Sequence, residues 1–230
     1  MKNCISNGNV ANITLRNKVL NMEQEKEYND FIALGRKYYP KQDDRGITNF
    51  NSEVLTNVYP KKKDILDNYG VTKCELFALI MLEGFFSEWI QRPLVFGLKT
   101  NSFIERCISY FDSLLSKTPK TSSIVLYRQD HFNSVEYYRE LQNKSKHYIC
   151  SSFLTASTDD FDNSRNVKLV ISPKLDGKTK AHDVYRIMNH GEDIKEAIPE
   201  NQVNFERNAE FEIMGIDENQ DVPVVYLNEI

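Results

Sequence analysis

The sequence is poor in cysteine and histidine, and this scarcity limits the metal and redox chemistry that we expect. The four cysteines lie far apart and form no C-x-x-C pair, at Cys4, Cys74, Cys107 and Cys150. The four histidines do not cluster with them. The spacing therefore favours neither a zinc site nor a disulfide framework, and we expect no metal and reduced thiols.

The sequence also lacks long apolar runs and the common nucleotide-binding fingerprints. No run approaches the ~20 residues that span a bilayer, so no membrane association is expected. The N-terminal stretch is polar, so no signal peptide is expected either. These features predict a cytoplasmic protein, with delivery into a target cell as the alternative. The absence of a G-x-G-x-x-G motif and of a Walker loop disfavours dehydrogenases and P-loop enzymes.

What the sequence does contain is enough apolar material for a sizeable core. Hydrophobic residues make up 40% of its 230 residues, including 13 Phe and 12 Tyr. The formal net charge is −4, so no overall basic signature points to nucleic acid. Residues 1–120 are weakly basic, with 17 Lys or Arg and 14 Asp or Glu, and we interpret this excess as ordinary solvated surface.

Helical periodicity dominates the first half of the chain. Apolar spacing predicts helices over residues 22–38, 73–90 and 102–116, and a short helix near residues 52–58. Thr72 and Glu75 have the spacing of a capping box, and Arg92–Pro93 is predicted to end the helix that they begin.

From residue 121 the period changes from 3.6 to 2, which is typical of strands. Strands are predicted over residues 123–128, 148–157, 167–172, 181–187, 209–214 and 222–227, with short helices or turns at 134–143 and 191–197. Helices first and a sheet second predict an α+β fold with a mixed, mostly antiparallel sheet. Residues 1–60 are predicted to be an N-terminal helical extension, and residues 61–230 one compact domain.

The late strand carries two glutamates on one face. Alternation places Ala209, Phe211 and Ile213 on one side, and Glu210, Glu212 and Met214 on the other. Two like charges on one face are costly when both are buried, so at least one should meet solvent or a cationic ligand. By itself, the Glu-x-Glu pattern is most simply an edge strand with a solvated acidic face.

Three motifs in a fixed order resemble those of a known enzyme family. Arg128 ends an apolar strand in VLYRQ, Thr155 and Ser157 follow in FLTAS, and a Glu-x-Glu comes late in the chain. This order is similar to that of mono-ADP-ribosyltransferases of the arginine–serine–glutamate branch, which includes bacterial toxins. Three departures from the family pattern are Gln129 for the usual Gly, Ala156 within the hydroxyl run, and Gln91 for Asn.

The resemblance implies a substrate, a fold and two catalytic glutamates. NAD would be the substrate, and residues 61–230 would be a catalytic domain whose β-sheet forms a sandwich. Glu212 would stabilise the positive charge that develops on the ribose as the nicotinamide leaves. Glu210 would activate or orient the acceptor.

The resemblance also implies five residues that bind NAD. Arg128 would hold the pyrophosphate or the adenosine ribose with its planar fork of donors. Thr155 and Ser157 would orient Glu212 through their hydroxyl groups. Phe161 would stack on the nicotinamide and Arg165 would contact phosphate. For all five residues, an ordinary structural role is the alternative.

Residues 200–208 are interpreted as a loop that recognises the target through Phe205 or Arg207. The alternative is a loop that only connects two elements.

Three functional hypotheses follow from the resemblance. The first is a toxin-like or effector-like enzyme that transfers ADP-ribose to protein arginine, with NAD glycohydrolase activity when water is the acceptor. The second is transfer to RNA or another nucleic acid in a toxin–antitoxin or phage-defence setting, which the Lys61–Lys63 run favours slightly. The third is a non-catalytic NAD-binding or interaction module. In the first two cases, an antitoxin or immunity protein is a possible partner.

Overall fold

The computed structural model describes residues 7–41, 46–84, 86–130, 132–160, 166–188 and 201–230. Helices come first, as predicted. They are α1 (Asn7–Tyr38), α2 (Ile47–Glu53), a π-helical turn (Val54–Val58), α3 (Tyr59–Tyr69), α4 (Lys73–Glu83), α5 (Ser87–Phe96) and α6 (Ser102–Lys117). No helix among these residues is both long enough and apolar enough to cross a membrane.

The second half of the described chain forms one sheet with two short helices. In order, its elements are β1 (Leu126–Asp130), α7 (Val135–Lys144), β2 (His147–Cys150), β3 (Leu154–Ser157), β4 (Val167–Ser172), β5 (Ala181–His182), α8 (Tyr185–Met188), β6 (Gln202–Phe205), β7 (Ala209–Asp217) and β8 (Val224–Glu229). The strand order is β2-β7-β8-β4-β1-β3-β6-β5. The β4–β8 pair is parallel and the other neighbouring strands of this sheet pair antiparallel, which confirms the predicted mixed α+β fold.

The helices share an aromatic core that crosses the predicted boundary at residue 60. The ring of Phe31 in α1 lies 5.4 Å from that of Phe77 in α4 and 4.9 Å from that of Phe103 in α6. All three side chains are fully buried. The N-terminal helix is therefore packed against the helices that precede the sheet.

The helix predicted over residues 73–90 is two helices. The predicted capping box begins α4, because the Thr72 side chain accepts from the Glu75 amide and the Glu75 carboxylate accepts from the Thr72 amide. The chain leaves α4 in an extended conformation at Gly84, where a Cβ would lie 2.9 Å from the Ile80 carbonyl oxygen. The prediction that Arg92–Pro93 ends the helix is wrong, since Pro93 lies inside α5.

The sheet folds into a sandwich at the junction between β1 and β3. These strands are joined at a single register pair, Tyr127 with Ser157, so the five strands before the junction and the three after it are only loosely connected. Both parts cover one apolar core. The rings of Phe205 in β6 and Phe211 in β7 meet edge to face at 5.2 Å, although four strands separate β6 from β7 in the sheet order. This contact confirms the predicted sandwich.

Two strand predictions and one loop prediction need correction. Residues 148–157 form two strands, because β2 pairs with β7 whereas β3 pairs with β1 and β6. Residues 181–187 form the short β5 and then α8. Residues 200–208, predicted as a loop, contain β6, which is buried at all four positions. The turn predicted at 191–197 lies outside the described residues.

Candidate active site

Arg128 lies on β1, where the two parts of the sandwich separate. Its Nη1 donates a 2.6 Å hydrogen bond to the carbonyl oxygen of Thr155 on β3. Its Nε is buried and has no hydrogen-bond partner among the described residues. The guanidinium is thus held on one side and retains a donor for a further acceptor.

A chain of side-chain hydrogen bonds runs across β3 and β6 beside this arginine. In the register of the two strands, Thr155 lies opposite Asn204, and Ser157 lies opposite Gln202. Asn204 Nδ2 donates to Thr155 Oγ1 at 2.9 Å, and Gln202 Nε2 donates to Asn204 Oδ1 at 2.7 Å. The sandwich core is filled by the alternate residues of both strands: Leu154, Ala156, Val203 and Phe205. The polar row therefore lies on the opposite face of these strands, toward the helices.

Glu83, the last residue of α4, adds a carboxyl group to this row. Its Oε1 is buried and has no hydrogen-bond partner within the described part of the chain. Burial raises the pKa of the Glu83 carboxyl to about 7, while hydrogen bonding from Gln202 and Asn204 and the positive charge of Arg128 oppose that rise. The Glu83 carboxyl therefore lies beside the amides of Gln202 and Asn204 and close to the Arg128 guanidinium.

The structure does not bring Glu210 and Glu212 into this group. Arg128 pairs with Leu169, and Leu169 pairs with Val225, so these side chains share the face that covers the core. On β8, Leu227 shares this core face with Val225. Leu227 pairs with Ile213 on β7, so Ile213 faces the core and its neighbour Glu212 projects from the opposite face. The two glutamates therefore project from the face opposite Arg128, on a strand that β8 and β4 separate from β1.

The outer face of β7 is a solvent face. Glu210 lies opposite Ile149 and Glu212 opposite His147. Ile149 and Met214 on this face are 54% and 55% exposed. The alternation of the sequence correctly predicted which residues of this strand are buried, and the two acidic side chains lie on the solvated face.

A small cleft of about 70 Å³ opens beside Arg128. Its polar wall includes Asp130, whose Oδ2 accepts from Tyr138 Oη and from Asn133 Nδ2, the latter at 2.9 Å. Gln91 Nε2 donates to the Phe153 carbonyl oxygen at 2.8 Å and so fixes α5 to the chain just before β3. The cleft wall near Arg128 is therefore held in place by buried hydrogen bonds.

Two predicted site residues, Phe161 and Arg165, lie outside the described residues. Conversely, sequence reasoning missed Glu83, Gln202 and Asn204. A signal for Glu83 did exist, because α4 is buried almost all round and must carry its terminal glutamate into the interior. Within the described residues, no cluster of His, Cys, Asp and Glu has the composition of a metal site.

No protein-family model matches the sequence, and no curated protein sequence is significantly similar to it. Solved structures do resemble the fold. The type III effector XopAI from Xanthomonas axonopodis pv. citri has a TM-score of 0.62 at 13% identity, with 89% of this chain and 83% of that chain covered.

Two further neighbours have names that state an activity or a bound molecule. An ADP-ribosyltransferase toxin from Paenibacillus larvae has a TM-score of 0.53 at 15% identity, with 74% of this chain and 92% of that chain covered. Exoenzyme S from Pseudomonas aeruginosa, in complex with human 14-3-3 protein beta and bound to Carba-NAD, has a TM-score of 0.54 at 13% identity, with 79% and 88% covered. The chain has the fold of the ADP-ribosyltransferase toxins.

Proposed function

We propose that the chain is an NAD-dependent ADP-ribosyltransferase of the toxin or effector type. The observation that carries the proposal is Arg128, fixed against the Thr155 carbonyl and facing the buried carboxyl of Glu83. Breaking the nicotinamide–ribose bond builds positive charge on the ribose, which a carboxylate stabilises. The pyrophosphate of NAD needs a planar cation such as a guanidinium.

NAD as the donor is supported by the neighbour that binds Carba-NAD. Arg128 Nε, which is buried and has no partner among the described residues, provides a donor for a phosphate or ribose oxygen. Ser157 is buried and belongs to the polar row, so we retain it, with Thr155, as a residue that orders the site. We also propose that Phe161 covers the nicotinamide and that Arg165 contacts phosphate.

A protein is the acceptor that we propose. The lysine run that slightly favoured nucleic acid is not an exposed basic patch: Lys62 is buried and donates to the Ile187 carbonyl oxygen at 3.0 Å, and Lys63 pairs with Asp67. Arginine as the accepting side chain, and an antitoxin or immunity protein as a partner, stay predictions. The arginine preference rested on Glu210 acting beside Glu212.

A second candidate function is NAD binding without cleavage. Gln202 lies opposite Ser157, the residue that was expected to orient a catalytic carboxylate. An amide there cannot supply the negative charge that stabilises an oxocarbenium-like ribose. The two functions differ in whether nicotinamide is released.

The test is incubation of the purified chain with NAD labelled in the adenylate part, with and without a cell lysate. Release of nicotinamide and protease-sensitive, nuclease-resistant labelling of the lysate are the expected results. Binding of NAD without release of nicotinamide, in the presence of the lysate, would favour the non-catalytic module. Label that nuclease removes and protease leaves would show that the acceptor is nucleic acid.

A further inference from the structure

Gln202 and Glu83 face each other across the same polar row, and only one of them can carry a negative charge. The Gln202 amide is held by its hydrogen bond to Asn204, which is held in turn by Thr155. Glu83 approaches from the end of α4, which is buried against α6 and fixed at its start by the capping box. Both sides of this contact are therefore rigidly supported.

The Glu83 carboxyl lies in surroundings that are costly for a charge. Its Oε1 is buried without a partner among the described residues, and it lies at the C-terminal end of a helix, where the backbone dipole disfavours an anion. Among the described residues, the charged group that faces it is Arg128, and its other polar neighbours there, Gln202 and Asn204, do not titrate. A ligand that brings positive charge and a hydroxyl group would satisfy this oxygen.

We propose that Glu83, rather than Glu212, is the carboxylate that faces the ribose of NAD. This inference rests on the proposed transferase function and deepens it by naming a catalytic residue on a helix instead of on a strand. Gln202 and Asn204 then act as positioning residues, because their amides hold the carboxylate without adding a second charge beside it.

The chemical step balances with these groups alone. The bond between ribose C1′ and the nicotinamide nitrogen breaks, and its electron pair stays on the nitrogen, so the cationic pyridinium leaves as neutral nicotinamide. The positive charge passes to C1′ and the ring oxygen, where the Glu83 carboxylate stabilises it. The acceptor nucleophile, or water, forms the new bond to C1′ and gives up its proton to solvent.

The protonation of Glu83 supplies a readout that a purely structural residue would not affect. With its pKa raised to about 7 by burial, Glu83 is ionised above neutral pH and protonated below it. Because the ionised form is the one that stabilises the ribose, the rate of nicotinamide release is expected to rise as pH increases through about 7. In Glu83→Gln, any residual rate should lack this rise.

The experiment compares Glu83→Gln with Glu88→Gln, a control in which an exposed glutamate in the first turn of α5 is changed. Nicotinamide release is measured at saturating NAD, and NAD affinity is measured by calorimetry. Glu83→Gln should lose roughly 10²–10³-fold in rate while it still binds NAD, because loss of one such electrostatic contact has that effect. Glu88→Gln should match the unmodified chain.

A second variant restores the negative charge at a residue of the facing strand, β6. In the double variant Glu83→Gln with Gln202→Glu, the carboxylate moves to the facing strand, and a measurable part of the lost rate should return. Near-normal turnover in Glu83→Gln, or no recovery in a folded double variant, would overturn the proposal. If the unmodified chain binds NAD but releases no nicotinamide with any acceptor, the transferase function itself fails, and the role of Glu83 fails with it.

Discussion

The guanidinium of Arg128 and the carbonyl oxygen of Thr155 are joined by a hydrogen bond of 2.6 Å. This bond bridges the five-stranded and three-stranded parts of the sandwich where a single register pair connects them. The bond fixes the orientation of the guanidinium. Arg128 therefore has a structural role in the candidate site in addition to its candidate role in binding a ligand. Substitutions in and around the site separate these contributions.

Replacing Arg128 by Lys should weaken NAD binding although the charge is kept. A lysine ammonium is a point charge and cannot bond the Thr155 carbonyl and a phosphate oxygen with the same fixed geometry. We expect NAD affinity to fall about tenfold or more, which corresponds to at least ~1.4 kcal/mol. Calorimetric titration measures this, with Arg36→Lys on the exposed face of α1 as the control. Equal affinities for Arg128→Lys and the unmodified chain would contradict a binding role.

Replacing Glu212 or Glu210 by Gln should leave nicotinamide release within about twofold of the unmodified chain. Both side chains project from the outer face of β7, away from the face that Arg128 occupies. Mutation of a surface residue remote from the site has little effect on the transition state. A hundredfold loss in Glu212→Gln would show that the Glu-x-Glu pattern marks the catalytic carboxylate after all. Labelling of the protein target in the same samples shows whether this face instead contributes to acceptor recognition.

Glu83→Gln should be more stable than the unmodified chain at pH 8. The pKa of the Glu83 carboxyl rises from 4.5 to about 7 on folding because the group is buried. The contribution of the protonated carboxyl to the free energy of unfolding is fully present below pH 4.5. That contribution is lost as pH rises through about 7, because the folded state then carries a poorly solvated charge. Removing that charge should add on the order of 1–3 kcal/mol at pH 8.

Thermal unfolding of both proteins at pH 8 and pH 5 measures this effect. The gain should be largest at pH 8 and should shrink at pH 5, where the carboxyl is already mostly protonated. A gain of the same size at both pH values would indicate that burial does not raise this pKa in solution.

Thr155→Val should loosen the polar row without breaking the arginine bridge. Valine keeps the β-branched shape but removes the oxygen that accepts from Asn204, whereas the backbone carbonyl that accepts from Arg128 remains. We expect a loss of about 0.5–1.5 kcal/mol in stability. Nicotinamide release should fall several-fold, because Asn204 and Gln202 are then less firmly placed. A variant with unchanged rate and unchanged stability would show that this hydrogen bond contributes nothing to the site.

Several parts of the fold could be predicted from local patterns alone. The alternation in residues 209–214 predicted both the strand and its buried side, since Ala209, Phe211 and Ile213 do lie in the sandwich core. The capping box at Thr72 and Glu75 correctly predicted where α4 begins. Each of these features depends on residues that are close in the chain, so a sequence window contains the necessary information.

The composition of the site could not be predicted in the same way. Which strand lies beside β3 depends on pairing between distant segments, and alternation carries no information about that choice. β6 is only four residues long, the lower limit at which alternation of polar and apolar residues indicates a strand, and the sequence interpretation of the stretch around Gln202 is a loop. Glu83 lies 45 residues before Arg128 in the sequence, and only the packing of α4 brings the two together.

The contact between Phe205 and Phe211 has a practical consequence for work with the protein. Because β6 and β7 press their aromatic rings together from opposite layers, their outward faces point in opposite directions. An antibody fragment or surface attachment directed at the exposed patch of Glu210, Ile149 and Met214 would therefore lie on the far side of the sandwich from Gln202 and Asn204. Such a reagent could anchor the protein for single-molecule or surface-based NAD binding while the row of side chains facing the helices stays unobstructed.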